Sequence, residues 1–190
     1  FPGEYEPMQA VMIVYPLGIP VELVKEMAED CKVITVVESY EQSYAQSDFQ
    51  AAGVNMANVE FMNASTNSYW IRDFGPWYIF NGKEPAIVDN KYNRPRPYDD
   101  DIPGEFAEYW GIEMFGMNVV HTGGNMMEDG RGHGVSDDIV ITESYSQAGV
   151  TEEQVYERMK AYLGIDPYHV TIDPQGDYIA HVDCWGTYLA

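Results

Sequence analysis

Apolar residues fall into short compact runs along the chain, and the spacing within the runs alternates between a strand period and a helix period. Gln9–Tyr15 is a compact run halted by Pro16, the pattern of a buried strand. From Pro20 to Ala28 the apolar positions take helical spacing behind a first-turn proline. Lys32–Val37 returns to a strand, a Gln-rich polar helix follows over about 41–52, and another strand lies near Val59–Met62. Tyr69–Phe80 and Ala86–Tyr92 are predicted as strands around the turn Asn81-Gly82, with a short helix over Gly104–Tyr109. Met117–His121 and Asp138–Thr142 are predicted as strands flanking a glycine-rich stretch. Thr151–Tyr162 carries the clearest helix pattern. Thr151 is placed to cap it, Glu152 and Glu153 suit its positive end, and Val155, Met159 and Tyr162 make its apolar face. His169–Ile172 and Ile179–Leu189 are predicted as closing strands. The unit strand, helix, strand recurs about two and a half times with no linker, which gives an α/β architecture.

Composition narrows what such a chain does. At 190 residues it is one or at most two domains, and 45% hydrophobic content supports a packed core. The net charge is −21, from 31 acidic and 10 basic residues. That balance argues against nucleic acid, which needs clustered Lys and Arg, and suits a cationic ligand or simple solubility. Cys31 and Cys184 cannot form a disulfide framework. No run approaches the ~20 apolar residues of a membrane span, and no signal peptide opens the chain. Opening at Phe1-Pro2-Gly3, the sequence is expected to be a processed or trimmed piece.

Four constellations carry candidate chemistry. Tyr69-Trp70-Ile71-Arg72-Asp73-Phe74-Gly75-Pro76-Trp77 places a carboxylate beside an aromatic ring ahead of a Gly-Pro turn. That pairing suits a flat cation, while an Arg72–Asp73 pair or a turn-capping role for Asp73 are the plainer alternatives. In Asn93-Arg94-Pro95-Arg96-Pro97, two arginines two residues apart on an extended segment face one side and suit a carboxylate; ordinary pairing with Asp99, Asp100 and Asp101 is the alternative. Thr122-Gly123-Gly124-Asn125 through Asp129-Gly130-Arg131-Gly132 is expected to be mainly a structural turn, since no phosphate-cradle pattern follows. On a strand, His181-Val182-Asp183-Cys184-Trp185 puts His181 and Asp183 on one face and Cys184 on the other. His181 and Asp183 then suit acid–base work, or form a satisfied strand histidine. Cys184 is expected to be a buried structural cysteine rather than a nucleophile, and no supporting ligands make a metal site.

Taken together, Trp70-Ile71-Arg72-Asp73-Phe74-Gly75-Pro76, Gly123-Gly124-Asn125 with Asp129-Gly130-Arg131-Gly132, and His181-Val182-Asp183 resemble the agmatine-deiminase-like branch of the guanidine-modifying, or pentein, superfamily. The Arg-Pro-Arg segment narrows the resemblance to secreted bacterial peptidylarginine deiminases. The resemblance implies an α/β pentein-type propeller of ββαβ units, with about two and a half of five blades present, so that residues 1–190 form the N-terminal part of a single catalytic domain. It implies deimination of peptidyl-arginine to peptidyl-citrulline without metal or cofactor, outside the cell or at its surface. Asp73 and Asp183 would grip the guanidinium, His181 would be the general acid and base, Trp70 would pack on the arginine stem, and Arg94 and Arg96 would hold the carboxylate of a C-terminal arginine. Glu143 would support the histidine. The family's nucleophilic cysteine lies beyond the His-x-Asp strand, so the remainder of the domain is expected as a partner. Deimination of agmatine or free arginine, and a non-catalytic module binding cationic peptides, are the rival functions.

Overall fold

A computed structural model describes residues 2–3, 5–174, 176 and 178–188. Among these described residues nine strands make three separate three-stranded sheets. The first contains β1 (Ala10–Val14), β2 (Lys32–Val37) and β3 (Val59–Asn63), all parallel and in that order. Helices α1 (Val21–Asp30) and α2 (Gln42–Ala52) make the two crossovers that parallel pairing requires. Val33, Ile34, Val36 and Val37 of β2 are all buried, because both faces of this central strand are covered. Phe49 of α2 is wholly buried against Val24, Val33 and Val54, a contact worth about 2–3 kcal/mol in transferred apolar surface.

The second and third sheets are ββαβ units. β4 (Trp77–Asn81) pairs antiparallel with β5 (Glu84–Tyr92), which pairs parallel with β6 (Glu113–His121) after α4 (Pro97–Asp100) and α5 (Ile102–Trp110). β7 (Met127–Glu128) pairs antiparallel with β8 (Gly134–Asp137), which pairs parallel with β9 (Tyr168–Thr171) after α6 (Ile139–Ala148) and α7 (Glu152–Arg158). The first sheet departs from this plan: its β1 lacks the antiparallel neighbour that β4 and β7 supply elsewhere, among the described residues. Thr151 does cap α7, accepting from the Gln154 amide while the Gln154 side chain accepts from Thr151, and the helix runs on through a wider turn to Leu163.

Three predicted strands are corrected. Tyr69–Phe80 is not one strand, because the one-turn helix α3 (Ile71–Phe74) precedes β4 and Gly75-Pro76 ends it. Asp138–Thr142 begins α6 instead. Its β-branched run is drawn into a helix that packs on β6, where buried Ser144 bonds both the amide and the carbonyl of Val120 through its hydroxyl. Ile179–Leu189 holds no strand over the described residues, and Val182–Cys184 forms a single 3-10 turn; Leu189 itself lies outside the described residues.

Candidate active site

Each sheet is followed by a short irregular connector, and three of these connectors meet. After the first sheet comes α3 with Trp70, Arg72 and Asp73; after the second, the 3-10 turn Gly123–Asn125; after the third, the 3-10 turn bearing His181 and Asp183. Gly124 stands at their junction. A side chain there would put its Cβ 2.5 Å from His181 Nδ1 and 2.7 Å from Asp73 Oδ1, closer than real Cβ atoms pack, and a tight 3.0 Å from Asp183 Oδ2. One missing methyl therefore marks the point on which a histidine and two carboxylates converge.

The connectors are stapled together by backbone-directed bonds. Arg72 Nη2 donates to the Met126 carbonyl at 3.0 Å, and Thr122 Oγ1 donates to the Asp73 carbonyl at 3.3 Å. Thr122 is held from beneath by His121, which is 2% exposed and accepts from the Thr122 amide at 2.8 Å. The other ring nitrogen of His121 lies 3.2 Å from both Ser136 Oγ and Tyr168 Oη. Burial pushes the His121 imidazole down to about 4, so it is a neutral structural group at physiological pH. Ala180, directly before His181, has φ +52°, a left-handed conformation that costs a non-glycine residue about 1–2 kcal/mol and is held here at the entry to the site.

His181 is 7% exposed, with Nδ1 3.6 Å from Asp73 Oδ1, a distance for ion pairing rather than a hydrogen bond. Burial raises the Asp73 carboxyl above the usual range, outweighing Thr122, Arg94, Arg72 and the Gly124 amide, which all favour the ionised form. Asp183 lies on the solvent side of the cluster. Partial enclosure also raises its carboxyl, against the pull of His181 and Arg72 and with a further push from Asp73. Two like charges beside a histidine in a partly dry recess are costly without a cation, and that cost is what a planar cation would relieve.

The strand geometry expected for His181 to Trp185 does not exist, and the 3-10 turn changes two conclusions. Cys184 is exposed rather than buried, and it is not turned away from the cluster: its thiol is a neighbour of the Asp183 carboxylate and favours that group's ionised form. Reactive cysteines sit in electropositive surroundings, and an acid beside the thiol is the reverse.

The remaining candidates ring this centre. Trp70, half exposed, sits one turn before Asp73 with its ring 4.7 Å from that of Tyr69. Arg94 and Arg96 line one shallow pocket of about 490 Å³ with Lys91, Tyr92, Asn93 and Asp100. The charge of Arg94 acts on Asp73, Glu143 and Tyr92, and that of Arg96 acts on Tyr92. Ordinary pairing with the following acids is not what two of those acids do: Asp99 accepts from Asn67 and Ser68, and Asp100 accepts from the Tyr92 amide. Glu143 takes 2.8 Å hydrogen bonding from Asn93 Nδ2, with Arg94 as its charged neighbour, so its described partners belong to the arginine segment rather than to His181. No cluster of three or more His, Cys, Asp or Glu suited to a metal occurs among the described residues. No described helix is long and apolar enough to cross a membrane.

This arrangement can be set beside known proteins. Residues 1–185 match the model of the Porphyromonas-type peptidyl-arginine deiminase family. The chain belongs to this family. Its relatives include a Photobacterium profundum protein assigned as an agmatine deiminase, 27% identical over 93% of this chain and 53% of that protein. The agmatine deiminase of Enterococcus faecalis shares the fold with a TM-score of 0.79 at 20% identity, over 100% of this chain and 57% of that one. A substrate-bound, cysteine-to-serine agmatine deiminase from C. jejuni shares it with a TM-score of 0.77 at 20% identity, over 98% and 61%. The homologues are hydrolases of guanidine C–N bonds, built on the mixed α/β pentein fold. The chain spans about half the length of the curated relatives it matches.

Gly124 and Thr122, expected from the sequence to belong mainly to a structural turn, stand in the site itself. The Gly-Gly doublet directly after a strand was their signal, but a turn and a site floor look alike until the partners over them are known.

Proposed function

We propose that this chain is the guanidinium-binding part of a deiminase of the agmatine-deiminase-like kind. The convergence of Asp73, His181 and Asp183 on the bare backbone of Gly124 carries the proposal. In the reaction a guanidinium carbon exchanges a C–N bond for a C–O bond: R-guanidinium and water give the R-urea and ammonium. Asp73 and Asp183 take the N–H groups of the planar cation and fix its orientation. His181 protonates the departing ammonia and then removes a proton from the water that releases product. The covalent step uses a thiolate on the guanidinium carbon, and we assign it to a cysteine outside these 190 residues. Support comes from the carboxylate beside Cys184 and from the half-length match to the relatives. Completion of a five-bladed propeller by further chain is part of the same proposal, as is action outside the cell, which rests on the family resemblance alone.

Agmatine is the favoured substrate reading, because agmatine deiminases dominate the relatives described above. A specific observation sustains a second: Arg94, close enough for its charge to act on Asp73, suits the carboxylate of a C-terminal arginine, which agmatine lacks. Ammonia release from agmatine, L-arginine and a peptide ending in arginine, measured with the complete protein, tests both readings. Turnover of agmatine at least tenfold better than the peptide, unchanged in Cys184→Ala, is the expected result. The reverse preference selects the peptidyl reading, and no release from any guanidine overturns the deiminase assignment.

A further inference from the structure

Asp99 is 0% exposed and belongs to none of the groups that converge on Gly124. It sits in α4, three residues after Arg96, and reaches across to the loop leading into α3. Asp99 Oδ1 accepts from the Asn67 amide at 2.6 Å and the Ser68 amide at 3.1 Å, while Oδ2 accepts from Ser68 Oγ at 2.8 Å. Ser68 Oγ lies 3.5 Å from the Trp70 amide, which donates towards it. A return link runs the other way, from the Tyr98 amide to Asn67 Oδ1 at 2.9 Å. The arginine segment is itself closed by Asp100, which accepts from the Tyr92 amide at 2.5 Å, and by the Asp100 amide donating to the Arg96 carbonyl at 3.1 Å.

We propose that Asp99 is a positioning residue that fixes the distance between the two walls of the substrate cleft. On the deiminase reading one wall is Trp70 and Asp73, which would meet the guanidinium and its stem; the other is the pocket of Arg94 and Arg96, from which the charge of Arg94 reaches Asp73 and which would meet the far end of the substrate. This inference rests on the deiminase reading above. The physical case is that three donors on one wholly buried carboxylate cannot exchange with water, so the two segments move as one body. A substrate longer or shorter than the fixed span then loses contact at one end, and the span itself discriminates between guanidines.

Asp99→Asn keeps the shape but replaces one acceptor oxygen with a donor, leaving an amide or hydroxyl without its partner. Ser68→Ala removes only the hydroxyl link and guards against simple unfolding of the first variant. Both are assayed in the complete protein on agmatine and on a peptide ending in arginine, with thermal melting alongside. The expected result is a KM raised about tenfold for Asp99→Asn and about threefold for Ser68→Ala, kcat within about twofold, and a ratio of kcat/KM between the two substrates shifted at least fivefold. A residue serving only the fold would lower kcat by one factor for both substrates through loss of active protein, with KM and the ratio unmoved, and that outcome overturns the inference. Failure of the unaltered protein to release ammonia from either substrate instead overturns the deiminase reading on which it rests.

Discussion

Asp73 and Asp99 are both carboxylates drawn out of water, and the chain treats them in opposite ways. Asp99 receives three hydrogen bonds from Asn67 and Ser68 and is wholly enclosed. Asp73 keeps 19% of its side chain exposed, has His181 at 3.6 Å, and is held above its ordinary pKa because burial outweighs its favourable neighbours. A structural acid is completed by the chain's own donors. On the proposed function, an acid that takes a ligand's cation is one whose ionised form the chain itself leaves costly, so that a cation would recover the cost on binding. The difference also separates two kinds of turn. The Asn67–Trp70 loop is braced from within, whereas the connectors around Gly124 bring charges together that gain little from one another.

The largest effect that sharpens this comparison is on turnover. Asp73→Asn and Asp183→Asn in the complete protein are each expected to lower kcat/KM for a guanidine substrate at least a thousandfold, measured by ammonia release, while the melting temperature at pH 7 holds or rises. The sign follows from linkage. A carboxyl whose folded pKa is raised destabilises the fold at pH values above that pKa, and the penalty fades as pH falls towards the unfolded value. Gly124→Ala ranks next. A methyl at the point of convergence should displace His181 or a carboxylate and cost about a hundredfold in kcat, with the crystal structure of the variant showing which group has moved.

Arg94→Ala tests the far wall. It is expected to cut kcat/KM about tenfold for a peptide ending in arginine and to change agmatine turnover less than twofold; an equal loss on both would place Arg94 with the carboxylate cluster instead. The smallest effect is on stability alone. Burial and the neighbouring Asp100 and Asp101 push Asp89 up to about 6, at the irregularity where β5 and β6 shift register. Asp89→Asn should therefore stabilise the protein at pH 7 by about 1–2 kcal/mol, after allowance for solvent screening. The gain should shrink as pH falls from about 6 and vanish near 4 in urea titrations, since below that both states of Asp89 are protonated.

How much of this could be seen in the sequence depended on whether local pattern or distant contact decided the structure. The crossovers, β1, β2, β3, β5 and the capped α7 were legible because apolar period, capping and turn residues agree there. The predicted strands at Asp138–Thr142 and Ile179–Leu189, and the part of Tyr69–Phe80 ahead of β4, failed for another reason. Their β-branched and aromatic residues favour strands locally, yet α3, α6 and the final turn are set by packing against partners far along the chain. The same failure reached the site: the alternation argument placed Cys184 in the interior, and a 3-10 turn has no alternation. Asp73, His181 and Asp183 were legible as chemistry from their neighbours in sequence. That they meet over Gly124 was not, because the meeting is made by three connectors from three different sheets. Asp99 was legible only as a possible partner for arginine, since its true donors lie more than thirty residues upstream.

The central claim is that the recess over Gly124 binds a guanidinium through two ionised carboxylates. Calorimetric titration of the complete protein with agmatine and with a C-terminal arginine peptide, across pH 4 to 8, tests it most directly. Saturable one-to-one binding of the preferred ligand is predicted, weakened at least thirtyfold by Asp73→Asn or Asp183→Asn. Because both carboxyls are raised by enclosure, the affinity should begin to fall at a higher pH than ordinary carboxylates would give. Binding that ignores pH and survives both substitutions would contradict the account.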